Sequence, residues 1–274
     1  MRDGFRVITL TAMLVLLTGV SASNAQTLPE MRLYAVTTAG EMISFDSSKP
    51  GKLLKTPKIN GLTAGEKLVG IDFRPSNKML YGVTNQSKIY TIDTTTGAAL
   101  AAGTLTTALT GGIGYGVDFN PVPDRLRITN DADQNLRANP VDAVNVVDKT
   151  LIFAATDANT GKNPNIGASA YTNNVAGAKV TTLYNIDYAL DVLLTQIPPN
   201  DGVLNTVGIL GVKITGNAGF DIVSRKDMNL AIAALHVEGE KTSKLFIVDL
   251  QTGSATLVGK IGVNSLVIGL TASF

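Results

Sequence analysis

Residues 114–140 read GYGVDFNPVPDRLRITNDADQNLRANP, and this stretch recurs in altered form along most of the chain. Gly116-Val117-Asp118-Phe119 returns as Gly70-Ile71-Asp72-Phe73 and as Gly219-Phe220-Asp221-Ile222, with weaker copies starting at Gly167 (GASAY) and Gly269 (GLTAS). The glycines are spaced by 46, 51, 52 and 50 residues. A second mark, leucine followed by an aromatic or its substitute, lies at Leu33-Tyr34, Leu80-Tyr81, Leu126-Arg127, Leu183-Tyr184 and Leu230-Ala231. A third is a turn rich in Asp, Asn and Gly, as at Asp93 and Gly97 or Asp249 and Gly253. The three marks keep their order in every unit.

Each unit reads as four short strands. The first carries Gly-x-Asp-Phe and the second Leu-Tyr. The third alternates, as in 88–93 and 244–249, and the fourth follows the turn, as in 98–105 and 254–261. Val, Ile, Thr and Tyr fill these segments, and Gly, Asn, Asp and Pro separate them, which is strand-and-turn grammar. No window beyond residue 25 holds a 3.6-residue apolar period, so helices should be scarce. Four-stranded units at a period near fifty predict an all-β fold, a β-propeller of five four-stranded blades. The ends are complementary. Residues 31–59 lack a first strand, and residues 266–274 are one with nothing after it. Joining them in one blade closes the ring and removes an exposed edge. The polar segment 156–165, TDANTGKNPN, is expected to connect the third and fourth units.

Arg2 and Arg6 precede an apolar run at 7–20, and the small residues Ser23 and Ala25 follow it, the layout of a signal peptide cut after Ala25. The run is short for a membrane span. The expected organisation is a signal peptide at 1–25 and one propeller domain at 26–274. Removing 1–25 leaves 21 basic and 21 acidic residues. A neutral chain offers no basic stripe for phosphates, so nucleic acid is not an expected partner. With no cysteine, the fold must rest on its core. These features predict a secreted or periplasmic bacterial protein, monomeric, with no membrane span in the mature chain.

The stretches GVDFNPVPDRLRITNDADQNLRANP, DANTGKNPNIGASAYTNN, TTLYNID and PPNDGVLNTVG resemble domain-of-unknown-function family 4394, over about residues 33–274. That resemblance implies a secreted bacterial protein of repeated β-units. It implies no activity, cofactor or catalytic residue.

Nucleophilic catalysis is poorly supplied. His236 is the one histidine, there is no cysteine, and Gly-x-Ser-x-Gly does not occur. A zinc site built on histidine and cysteine is excluded by the same count. Asp72, Asp118 and Asp221 hold one place on three inner strands, with Ser169 and Thr271 in the other two. They predict either a ring of oxygen ligands for a hard cation such as calcium, or carboxylates that accept hydrogen bonds from a neighbouring blade's turn. The second reading suits residues that recur with the repeat. Two loops, starting at Asp131 and Asp157, partly match calcium loops but also match Asx turns.

The unit at 114–140 is alone in trading tyrosine for Arg127. Arg125, Arg127 and Arg137, with Asn130, Gln134, Asn135 and Asn139, form a candidate site for a small polar ligand carrying carboxylate, phosphate or sugar groups. The alternative is an inter-blade salt bridge to Asp118, Asp131 or Asp133. The leading functional expectation is an extracytoplasmic binding or interaction module for a small ligand or an envelope protein. The rival is a propeller hydrolase, lactonase-like, with a divalent cation in the central channel.

Overall fold

The computed structural model describes residues 28–225 and 228–273. The expected signal segment, 1–25, lies outside the described residues. Apart from one 3-10 turn at Pro199–Asp201, the regular structure of the described residues is all strand. The first blade contains β1 (Arg32–Thr37), β2 (Met42–Asp46) and β3 (Leu53–Lys55). The second runs through β4 (Leu68–Phe73), β5 (Leu80–Thr84), β6 (Lys88–Ile92) and β7 (Ala99–Thr104). The third runs through β8 (Tyr115–Asn120), β9 (Arg125–Asn130), β10 (Asn135–Ala138) and β11 (Asn145–Val147). A short β12 (Ile152–Phe153) then precedes the fourth blade, β13 (Ile166–Tyr171), β14 (Leu183–Asp187), β15 (Val192–Gln196) and β16 (Val203–Ile209). The fifth holds β17 (Ile214–Arg225), β18 (Met228–Val237), β19 (Lys244–Val248) and β20 (Ala255–Lys260), and β21 (Val267–Ala272) ends the chain's strands.

β21 is the innermost strand of the first blade, antiparallel to β1 with Leu33 opposite Ala272 and Ala35 opposite Leu270. The inner strands β21, β4, β8, β13 and β17 touch in that order around a closed ring, making a five-bladed β-propeller. One blade exceeds the expected four strands. β12 runs parallel to β16, with Ile152 opposite Val203, and buries Phe153 against Leu194 and Leu204. The chain leading out of the third blade, ahead of the polar segment 156–165, thus covers an outer edge that would otherwise be unpaired.

The inner-strand glycines have a steric reason. A Cβ on Gly219 would stand 2.5 Å from the backbone nitrogen of Leu270 in the next blade, and one on Gly70 would stand 2.5 Å from Cγ2 of Val117. Only glycine admits so close an approach. The axis is consequently almost filled: the cavity among Gly70, Ser169, Gly219 and Gly269 is about 10 Å³, room for roughly one water.

Apolar side chains fill four seams: first to second blade (Val36, Ile71, Leu80), second to third (Val83, Val117, Ile128), fourth to fifth (Ala170, Phe220, Ile222) and fifth to first (Ile43, Ile232, Leu270). The tyrosine of the Leu-Tyr mark packs edge-on against the next blade's inner-strand phenylalanine, Tyr34 on Phe73 at 5.4 Å and Tyr81 on Phe119 at 5.2 Å between ring centres. Deleting 267–274 would strip the first blade of its inner strand and bare this apolar surface. The truncated chain should lose its cooperative thermal transition and its β-sheet circular dichroism; an unaltered melting curve would contradict the closure.

Candidate functional site

The seam between the third and fourth blades is built differently. β9 alternates, sending Leu126 and Ile128 into the apolar seam with the second blade and Arg127 and Thr129 towards the fourth. Arg127 is 1 % exposed. Its Nε donates to the Tyr171 hydroxyl (3.1 Å), Nη1 to Asn135 (2.7 Å) and Asp148 (2.6 Å), and Nη2 to Asn200 (2.8 Å). Below it, the Thr129 and Ser169 hydroxyls meet at 2.7 Å, Ser169 donates to Asn185, and the Asn185 amide donates to Gln196 (2.9 Å). Gln196 closes the network on Asn135 (3.2 Å) and the Pro199 carbonyl (2.6 Å). Where sister blades set tyrosine on phenylalanine, this seam sets Arg127 on Tyr171.

The seven residues expected to bind a ligand therefore do not share one surface. Arg127 and Asn135 lie inside the seam. Arg137 stands at its rim, 30 % exposed, gripping both oxygens of Asp148 at 2.6 and 2.8 Å, and that ion pair raises its pKa. Arg125 is exposed and, among the described residues, donates to the Pro123 and Asp124 carbonyls. Asn130 is buried, its amide donating to Gln134 and its oxygen accepting the Ala132 and Gln134 N–H groups. Asn139 heads a turn, accepting from Val141. The carboxylate paired with the arginines is Asp148, not Asp118, Asp131 or Asp133. Sequence spacing could not point to Asp148, which reaches the pair from the residue just after β11.

Asp72, Asp118 and Asp221 converge. One carboxylate oxygen from each lies within 4.8 Å of the others, and all three residues are buried. Asp72 accepts the N–H of Phe119 in the next blade (2.8 Å), its own Phe73 N–H (2.7 Å) and the Thr271 hydroxyl (2.8 Å). Asp118 accepts from Tyr171 N–H (3.0 Å), and Asp221 from Ala272 N–H (2.7 Å). The donors sit on the neighbouring inner strand rather than on a turn, where the sequence reading had placed them. Burial raises all three pKa values. Mutual repulsion adds to the effect at Asp72 and Asp118, and Asp221 reaches about 6.

Internal contacts take up much of the two candidate calcium loops, although Asp131 Oδ1 and Asp133 Oδ1 are buried with no hydrogen-bond partner. Asp131 Oδ2 accepts from Ile113 and Gly114 N–H and from the Tyr188 hydroxyl (2.9 Å), and the Asx turn is headed by Asn130. Asp157 pins β16 through the Thr206 N–H (2.6 Å) and hydroxyl (2.9 Å). His236 sits between the Thr215 hydroxyl and the Glu240 carbonyl.

Sequence reasoning missed a groove at the ring mouth where the inner strands begin. About 720 Å³ in volume, it lies among the β1–β2 turn, the connector before β4, the loop before β8 and the start of β17. Ile113, Tyr115 and Ile268 form its apolar part, and Lys58, Asn60, Lys67, Asn85 and Asn217 its polar part. Its one lining carboxylate, Glu66, is already held by Lys88 (2.9 Å) and the Tyr90 hydroxyl (2.5 Å). Among the described residues Lys58 and Lys67 have no carboxylate partner. These residues come from the connectors before β4 and β8, the β5–β6 turn and the starts of β8, β17 and β21, without a shared motif, so no repeat signal marks them.

Two outcomes follow from this geometry. Arg127→Tyr restores the side chain of three sister units but leaves Asp148, Asn135 and Asn200 without their central donor. It should cost about 3–5 kcal/mol in chemical unfolding, against less than about 0.5 kcal/mol for exposed Arg125→Ala. The acid ring sets a pH dependence in chelator-treated protein. Folded-state pKa values above the unfolded ones mean that the folded chain holds more protons, so stability is full below about pH 4 for this ring and declines as pH rises through the folded values. Asp221 alone should remove on the order of 3 kcal/mol as pH rises from about 4 to about 6, and Asp221→Asn should flatten the slope seen in melts across that range.

No curated protein matches the chain. Among solved structures it is similar to a protein of unknown function from Bacteroides thetaiotaomicron VPI-5482, at 15 % identity and a TM-score of 0.49, covering 86 % of this chain and 60 % of that one. A Lactobacillus plantarum protein is 13 % identical with a TM-score of 0.41, over 88 % of this chain and 71 % of that one. An auxiliary nutrient binding protein from Bacteroides ovatus ATCC 8483 is also 13 % identical with a TM-score of 0.41, over 73 % and 55 %. The chain thus spans less than two thirds of the length of the first and third of these. At such identities none passes an activity to it. The model of Domain of unknown function (DUF4394) matches residues 41–271, and the chain belongs to that family.

Proposed function

We propose that the protein is a secreted binding module that holds a small anionic, hydroxyl-rich molecule in the groove at the ring mouth. The observation that carries this reading is the charge balance of the groove. Lys58 and Lys67 face a concavity of ligand size whose only carboxylate is already neutralised. The Asn217 amide makes no hydrogen bond within the described residues and is available to orient a bound hydroxyl or carboxylate. Ile113 and Ile268 supply the apolar floor on which a sugar ring or short chain would rest. Secretion rests on the basic and apolar start of the sequence. The hydrolase reading is less well supported, because the acid ring lies buried beside an axis with room for about one water. A substrate would have to part the inner strands to reach it.

Sugar acids, sugar phosphates and small dicarboxylates tested by thermal shift and calorimetry should include a stabilising ligand that is recovered chemically unchanged. Lys67→Ala and Asn217→Ala should each weaken it about 10-fold, the loss of one hydrogen bond to a charged group, with the ligand-free melting curve kept. Binding that survives both changes, or stabilisation by no member of the class, would overturn the assignment.

A further inference from the structure

We propose that Asp72, Asp118 and Asp221 form a buried site for a hard divalent cation, calcium above others, that ties the second, third and fifth blades together at the axis. The site is independent of the mouth groove. Three carboxylate oxygens from three blades lie within 4.8 Å of one another, a span that oxygen ligands on opposite sides of one calcium ion can have. Calcium favours this donor type and tolerates irregular geometry, whereas magnesium demands a near-ideal octahedron and keeps its waters.

A second observation separates this ring from an ordinary acidic cluster. Asp221 is 1 % exposed, and while its Oδ2 accepts the Ala272 N–H, its Oδ1 is buried without a well-formed hydrogen bond, the Ile222 N–H and Thr271 hydroxyl reaching the carboxylate only weakly. A carboxylate oxygen removed from water and given no well-placed donor is costly. Among the described residues no cationic side chain pairs with these carboxylates. The arginine pairs lie elsewhere, Arg127 and Arg137 with Asp148 and Arg74 with Asp124. Burial and repulsion make three bare carboxylates untenable together, so either protons or a cation must neutralise them. The remaining two blades place hydroxyls, Ser169 and Thr271, at the equivalent position. The Thr271 hydroxyl donates to Asp72 (2.8 Å) and orients that carboxylate, while Ser169 is taken up by Thr129 and Asn185. Backbone N–H groups hold one oxygen of Asp118 and one of Asp221, and both oxygens of Asp72, which fixes the direction each carboxylate presents to an ion.

The test uses the mature full-length protein, freed of metal with a chelator and returned to neutral buffer. Calcium chloride should bind with about one equivalent by calorimetry and raise the melting temperature, with proton release measured from the dependence of the binding heat on buffer. Magnesium chloride should give a smaller shift. Asp221→Asn and Asp118→Asn should each weaken calcium by at least about 10-fold. The Asp221 variant retains the amide oxygen on the Ala272 N–H, and if one variant fails to fold the other and the wild-type titration still decide. No calcium binding by the wild type would overturn the proposal in favour of a proton-sharing ring. Calcium binding that both variants keep undiminished would overturn it by placing the ion at another site.

Discussion

The ring depends on how the open edge of each inner strand is satisfied. A strand at the axis has a partner on one side only, and the N–H groups on its other edge face the neighbouring blade with no ladder to join. Asp72 accepts the edge N–H of Phe119, Asp118 that of Tyr171, and Asp221 that of Ala272. Each bond crosses from one blade to the next. The glycine two residues before each of these aspartates lets the strands come near enough for the bond to form. Carboxylates brought this close at the axis repel one another. The device that links the blades therefore also concentrates negative charge, and a counter-ion or protons must answer it.

The seams around this ring use two kinds of chemistry. Four are apolar and are held by area removed from water. The seam of the third and fourth blades is held by a connected set of hydrogen bonds centred on Arg127. A polar seam tolerates no substitute register, because a displaced neighbour would leave a buried guanidinium unsatisfied. An arginine at this place is therefore a strong determinant of which blade follows which. It contributes geometry where its apolar counterparts contribute area.

The repeat was legible because its causes are local. Alternation along a strand, turn residues between strands and glycines at one place in each unit are all written within a few positions of one another. Ring closure was legible for a similar reason, since the missing first strand at 31–59 and the surplus strand at 266–274 are complementary in sequence. The extra β12 was not, because it forms only when the chain leaving the third blade meets the outer edge of β16, some fifty residues away. Arg127 was legible as an exception but not in its role. A strand shows that Arg125 and Arg127 share a face, but whether that face meets solvent or another blade depends on where along the radius each residue sits.

Sequence alone determined the all-β composition, the period, the order of strands within each blade and the pairing of the two chain ends. Hydrogen bonding between consecutive strands and the two-residue alternation of their side chains dictate those features. The tertiary structure alone decided that Asp148 answers Arg127 and Arg137, that three aspartates spread over 150 positions of sequence point carboxylates at one another, and that unpaired lysines border a groove. Those meetings are between residues of different blades, whose spacing in the sequence carries no information about their distance. They exist because five radial sheets bring equivalent positions to one axis and dissimilar loops to one rim.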